Sequence, residues 1–256
     1  MKRDRGITEL DSYLGNFTKE IQRRISQKGK VKILDAGCGY GIVMIELVKK
    51  FGDKVEVIGY NQNKSHGTVK ELKERAVRTG IFTKEEINKL KNFPKIIYLD
   101  ADKGLPFKNN SFDFVFSLAS IYLYKDKIKF LEECNRILKK DGIARIQLFE
   151  TEFVENKEDI FMKLKNSNNK PFWELWDKRK RIDFISYFEK IKGVKVKFGK
   201  REDNKHIIVY LEIKKIPNLD FKLRFVDYID MRPIAKDRFG IGSIYTTELN
   251  IQNKKK

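Results

Sequence analysis

The chain predicts an α/β fold: a doubly wound, seven-stranded sheet, mostly parallel, ending in a C-terminal antiparallel hairpin. Three observations predict it. Apolar runs of strand length alternate with helical patterns from Val31 to Phe149, which implies parallel strands with helices on both faces. The first run leads directly into Gly37-Cys38-Gly39-Tyr40-Gly41, a strand-to-helix junction rich in glycine. The last two runs, Val194–Phe198 and His206–Lys214, are divided by the short turn Arg201–Lys205, and strands joined that closely are antiparallel.

Each element has its own justification. Leu10, Leu14, Phe17 and Ile21 recur at helical spacing, an amphipathic segment that Gly15 and Asn16 interrupt. Val31–Asp35 is a buried strand, followed by a helix over 41–51, a second strand at Val55–Tyr60 and a polar helix over Lys64–Thr79. Thr83-Lys84-Glu85-Glu86 is a capping-box pattern opening another short helix. Lys95–Asp100 and Phe112–Ala119 are the third and fourth strands. Ile128, Leu131, Cys134 and Leu138 share a helix face that Asp141-Gly142 is expected to terminate, before a fifth strand at Ile143–Phe149. A helix near Asp183–Lys192 precedes the hairpin, whose first member places Lys195 and Lys197 on a wet face, as suits a sheet edge. The organisation is thus a helical cap over residues 1–30, a core domain over 31–214 and an extension over 215–256. The core carries an insertion at 151–182, a candidate substrate lid holding Phe172, Trp173 and Trp176.

Of the 256 residues, 41 % are hydrophobic and 12 % aromatic, enough for a substantial core and against disorder as the main state. No run of about 18 apolar residues is present to cross a membrane as a helix. The opening MKRDRGITELDSYLG lacks a secretory signal's apolar stretch. Cys38 and Cys134 form no metal-ligand cluster, so no metal site is expected, and they suit a reducing cytoplasm. The net charge of +19 invites a nucleic-acid partner. Against that, residues 1–150 carry 30 basic and 20 acidic groups and the remainder 25 and 16. An excess so evenly spread reads as a lysine-rich solvated surface.

The glycine junction carries the chemistry. Glycines after a strand and before a helix let a ligand approach the backbone with no Cβ in the way. The third glycine comes one residue too early for the nicotinamide fingerprint Gly-x-Gly-x-x-Gly. Asp35 also ends the strand just before the turn. A carboxylate there repels a pyrophosphate and attracts a cation, which points to a ligand bearing an ammonium and a sulfonium.

With these residues in view, the chain resembles the class I S-adenosylmethionine-dependent methyltransferases, in particular the broad type 11 group. The match runs through Asp35-Ala36-Gly37-Cys38-Gly39-x-Gly41, Asp100-Ala101-Asp102 and Leu105-Pro106-Phe107. It continues through Ser111-Phe112-Asp113-x-Val115-x-Ser117 and Glu132-x-x-Asn135-Arg136-Ile137-Leu138-Lys139-Lys140-Asp141-Gly142, in the family's order. The resemblance covers residues 31–150, and the closing hairpin suits the same Rossmann-like fold.

The resemblance implies S-adenosyl-L-methionine as cofactor and assigns roles by position. Asp35, Ala36, Gly37, Cys38 and Gly39 would hold its methionine part; Cys38 is there for fit rather than chemistry. Asn61 would face the ribose hydroxyls, where the family usually has an acid, with Gln62 beside the adenine. Asp100 would accept from the adenine amino group, the Ala101 backbone would meet the ring edge, and Ser117 and Leu118 would border the methionine and the acceptor's entry. Asp113 shapes the turn into the fourth strand and stays outside the site.

On the acceptor side, Tyr122 and Tyr124 follow the fourth strand and are the candidates to orient or deprotonate an acceptor, with pocket lining as the alternative. His66 opens the helix after the ribose position; His206 begins a hairpin strand. The absence of a Pro-Pro pair removes the Asn/Asp-Pro-Pro-Tyr signature of exocyclic-amine methylation. Neither cysteine is placed for cytosine C5 chemistry. The leading expectation is a methyltransferase acting on a small-molecule acceptor. The alternatives are an RNA methyltransferase using the basic surface and a catalytically silent S-adenosylmethionine-binding protein.

Overall fold

The N-terminal apolar stripe forms two helices, α1 (Ile7–Leu14) and α2 (Phe17–Lys28), because Gly15 and Asn16 are both left-handed, at φ 72° and 54°. The Asp11 carboxylate restarts the chain by accepting from Thr18 N at 2.6 Å and from its hydroxyl. The computed structural model describes residues 5–62, 64–121, 124, 126–152, 173–177, 180–181, 184–200, 206–222 and 224–227.

The strands of the core are β1 (Val31–Ala36), β2 (Val55–Asn61), β3 (Lys95–Tyr98), β4 (Phe112–Ser117) and β5 (Leu138–Glu152). After α3 (Ile42–Phe51), α4 (Val69–Arg78) and α5 (Lys84–Lys89) comes α6 (Lys127–Ile137). Several boundaries differ from the sequence reading. The polar helix starts at Val69 rather than Lys64, because Gly67 at φ 96° breaks the chain and Thr68 with Glu71 forms a reciprocal cap there. Residues 64–66 make only a single 3-10 turn. Asp141-Gly142 does not end α6. Leu138 is already extended and pairs with Phe112, so both residues lie inside β5, where Lys28 Nζ bridges the Asp141 carboxylate at 2.8 Å. The Thr83–Glu86 cap forms as expected at the start of α5.

After β5 the chain forms β6 (Trp173–Asp177), β7 (Lys180–Arg181), α7 (Phe184–Glu189), β8 (Val194–Lys200), β9 (His206–Lys214) and β10 (Arg224–Asp227). The main sheet has the order β3-β2-β1-β4-β5-β9-β8. Its first five strands pair in parallel, while β9 runs antiparallel to both β5 and β8. The lysine-bearing β8 is the edge, as its alternation predicts. Strand order reverses between β1 and β4, and a crevice outside the carboxyl ends of the strands is expected there.

Helices cover both faces. One face packs α1, α2, α3 and α4 through Leu10, Phe17, Leu47 and Leu72. The other packs α6 and α7 through Leu131, Cys134 and Phe188. The first face also holds a buried ionic group. Arg145 Nε donates to Glu212 at 2.8 Å, and its Nη1 donates to the Leu14 and Gly15 carbonyls at 2.7 Å each. Lys197 reaches the other Glu212 oxygen at 2.8 Å. The sheet thus supplies partners for the last carbonyls of α1, and the helical cap is bonded to the domain it covers.

The insertion and the C-terminal extension, separate in the sequence reading, share a second sheet with the order β10-β6-β7. Arg224 stands opposite Trp176 and Asp227 opposite Trp173. The connection to this sheet is anchored on α6. Asn135 exchanges two hydrogen bonds with Ile216, both at 2.8 Å, and Glu132 accepts from Phe221 N at 2.9 Å. Among the described residues, no helix is long and apolar enough to cross a membrane.

Candidate active site

β1 delivers Asp35 and Ala36 to the switch point, where the chain turns sharply. The Gly37 and Cys38 amides both donate to the Tyr60 carbonyl, at 3.0 and 3.1 Å, pinning the turn across the end of β2. Gly37, at φ 80°, is needed for two reasons: a Cβ there would stand 2.5 Å from the Ser120 Cβ. Gly39, at φ 52°, differs, because a Cβ there would meet no protein atom within 4 Å. That open space is where a ligand can meet the backbone.

Asp35 is 3 % exposed, and among the described residues nothing donates a hydrogen bond to its carboxylate. Burial raises its carboxyl well above the usual range. Burial, helped by the Asp35 charge, likewise pushes the Cys38 thiol up, so Cys38 is a packed thiol rather than a nucleophile. A buried carboxylate without a donor is a costly feature, and it lies on the strand that leads directly into the Gly37–Gly39 turn. A carboxylate without a donor and a turn with open space at Gly39 suit a ligand that brings a positive charge and packs closely on the backbone, as S-adenosylmethionine does.

Asn61, expected to face the ribose, is engaged with the protein. Its Oδ1 accepts from Gly39 N at 2.9 Å and its Nδ2 donates to Gly39 O at 2.8 Å, so its amide is turned onto the glycine turn. Gln62, next to it, is exposed. Leu99 N donates to Asn61 O at 3.0 Å, which brings the end of β3 alongside, with Ala101 buried and Asp100 partly exposed near Lys103. His66 packs its ring edge on Tyr40, 5.0 Å between centroids, and Arg75 covers the same ring while donating to the Tyr40 carbonyl at 2.7 Å.

The end of β4 is braced by hydroxyls. Ser117 and Ser120 share a hydrogen bond of 2.5 Å, and Ser120 donates to the Ala36 carbonyl at 2.9 Å. Leu118 is buried. Ala119 is left-handed, at φ 48°, with its N–H donating to buried Gln147 at 3.0 Å. Ser120, Gln147 and Lys127, a fully buried lysine whose Nζ donates to the Tyr124 carbonyl at 2.8 Å, were missed from sequence. Ser120 could have been found, lying three residues past Ser117; nothing local marks the other two.

Tyr124 is placed against the role of base. It is 8 % exposed, stacked on Phe130 at 4.0 Å, and its hydroxyl meets that of Tyr60 at 2.6 Å. Burial pushes its phenol well above the ordinary tyrosine range. It is therefore a core brace, protonated at neutral pH. Tyr122 and Phe172 lie outside the described residues; of Trp173 and Trp176, the backbone places both on β6. Asp113 lies within β4 rather than in the turn before it, where it accepts from Lys32 N at 2.8 Å and Lys139 Nζ at 2.7 Å and so ties β4 to β1 and β5.

The other motifs are structural brackets. Arg136 donates to the Leu105 and Phe107 carbonyls, 2.8 Å each, and Glu133 accepts from Leu105 N at 2.8 Å. Together they fasten the segment after Asp100 to α6, beside a groove of about 610 Å³.

Residues 34–146 match a family described as a methyltransferase domain. A demethylmenaquinone methyltransferase of Staphylococcus aureus is 30 % identical over 128 residues, 50 % of this chain and 47 % of the relative. The chain spans about half the length of the curated relatives it matches. Among solved structures, a SAM-dependent methyltransferase from Aquifex aeolicus is similar at 18 % identity and a TM-score of 0.45. That likeness covers 80 % of this chain and 93 % of the other. An arsenic(III) S-adenosylmethionine methyltransferase from Chlamydomonas reinhardtii is similar at 17 % identity and a TM-score of 0.46, over 74 % and 65 % of the two chains.

Proposed function

We propose that the chain is a class I S-adenosylmethionine-dependent methyltransferase, with S-adenosylmethionine as cofactor, and that it methylates a small organic acceptor by in-line displacement; the match of residues 34–146 to a methyltransferase domain supports the reading. The observation that carries the reading is Asp35, a buried carboxylate with no hydrogen-bond donor among the described residues, on the strand that leads into the glycine turn with its open space at Gly39. The Staphylococcus aureus relative, a demethylmenaquinone methyltransferase, supports a small acceptor.

Bound S-adenosylmethionine supplies a methyl group on a cationic sulfur whose thioether departs without acid assistance. The work left to the protein is to hold, align and desolvate. Asp35 takes the ammonium group, and the Gly37–Gly39 backbone lies along the methionine part. Asp100 accepts from the adenine amino group beside the Ala101 backbone. Ser117 and Leu118 border the path to the acceptor. Tyr124 keeps its proton and braces the floor, so the acceptor is one that is nucleophilic at neutral pH or is deprotonated by a group such as Tyr122. The N-terminal helices and the β6–β7–β10 sheet flank the catalytic domain, and we assign acceptor selection to the second of them.

The test is incubation of the full chain with methyl-labelled S-adenosylmethionine and fractionated lysate. Label in low-molecular-weight metabolites supports the reading. Label in RNA would transfer the assignment to the basic surface, and tight cofactor binding without transfer to any fraction would make the chain a silent binding protein.

A further inference from the structure

Asn61 ends β2 at the rim of the crevice, yet its amide is committed to the protein. One side chain satisfies both the N–H and the carbonyl of a single residue, Gly39, at 2.9 and 2.8 Å, and is itself 5 % exposed. Only an amide of this length carries the donor and the acceptor that such a two-way tie requires; a carboxylate would satisfy the N–H and confront the carbonyl. Gly39 is left-handed, and a Cβ there would meet nothing within 4 Å, so the tie holds a peptide that borders open space. The neighbouring polar groups are also engaged: Glu71 is closed into the Thr68 cap, and the Tyr98 hydroxyl donates to the Gly67 carbonyl.

We propose that Asn61 is a positioning residue that sets the Gly39 peptide for the bound nucleoside and does not read the ribose hydroxyls. The site therefore accepts sulfur nucleosides that lack the 2′-hydroxyl. This rests on the methyltransferase reading and adds a statement about which part of the cofactor goes unread.

The experiment is calorimetric titration of the full chain with S-adenosylhomocysteine and with its 2′-deoxy analogue, for the natural protein, Asn61→Ala and Asn61→Asp. Amide hydrogen exchange at Gly39 is measured in the ligand-free proteins. The natural protein should separate the two ligands by less than about fivefold. Both variants should weaken both ligands by a common factor of about ten, and Gly39 exchange should quicken by about as much. The ratio of the two affinities is the reading that a ribose contact would move and a backbone tie would not. A natural preference above about fivefold for the ribose ligand overturns the proposal, as does collapse of that preference in Asn61→Ala or tighter binding by Asn61→Asp. If neither variant folds, the natural protein's ratio and its Gly39 protection decide the matter. Failure of the natural protein to bind either ligand, with Gly39 still protected, sinks the methyltransferase reading itself.

Discussion

Asp35→Asn should make the ligand-free protein more stable and nearly abolish its response to S-adenosylmethionine. The carboxyl is 3 % exposed, has no hydrogen-bond donor among the described residues, and is raised well above its usual range by burial. Its folded value exceeds its unfolded value of about 3.9, so it favours the fold below about pH 4, and that contribution is lost as pH rises toward the folded value. At pH 7 the interval above 3.9, at about 1.4 kcal/mol per unit, caps the cost at about 4 kcal/mol, because beyond that the group simply keeps its proton. The asparagine amide remains buried and polar, so the gain is part of that cap, about 1–3 kcal/mol, or about 3–10 °C in Tm for a chain of this size. Losing a desolvated charge partner for an ammonium should weaken the ligand by about a hundredfold. The assay is thermal unfolding with and without saturating S-adenosylmethionine at pH 4 and 7. The variant should unfold higher than the natural protein at pH 7 and show no ligand shift, with the difference closing at pH 4. A variant less stable at pH 7, or one that keeps the ligand shift, would refute the reasoning.

Further perturbations separate site from scaffold. Gly39→Val should cost about 1–2 kcal/mol of stability from its left-handed backbone and reduce S-adenosylmethionine affinity more than tenfold in calorimetry, because its side chain enters the open space. Tyr124→Phe should lower stability by about 1–2 kcal/mol by orphaning the buried Tyr60 hydroxyl, while leaving transfer rates within about threefold; a hundredfold rate loss would restore Tyr124 to catalysis. Burial works to raise Glu212, but Lys197 and Arg145 outweigh it and hold the carboxyl below its usual range. Its contribution is therefore present above about pH 4.3 and lost as pH falls through the lowered folded value. Glu212→Gln should cost about 3 kcal/mol at pH 7 in denaturant titration and flatten that acid dependence.

Much of the frame was legible because its signals are local. The Gly15–Asn16 break, the Thr83 cap, the glycine junction and the alternating lysines of β8 each depend on residues a few positions apart. What was hidden depends on distant partners. The Asn61 rotamer is set by Gly39, twenty-two residues away in the chain. Tyr124 turns inward because Tyr60 and Phe130 receive it. Asp141-Gly142 has the composition of a helix stop, yet β5 begins earlier because Leu138 pairs with Phe112. The union of β6 with β10 joins segments about fifty residues apart, and no local periodicity announces such a pairing.

The most direct test is a crystal structure of the full chain with S-adenosylhomocysteine. The ligand's ammonium should lie within hydrogen-bond distance of the Asp35 carboxylate, with its methionine part over Gly39. A ligand seated elsewhere, or an Asp35 carboxylate left without it, would contradict the assignment of this crevice.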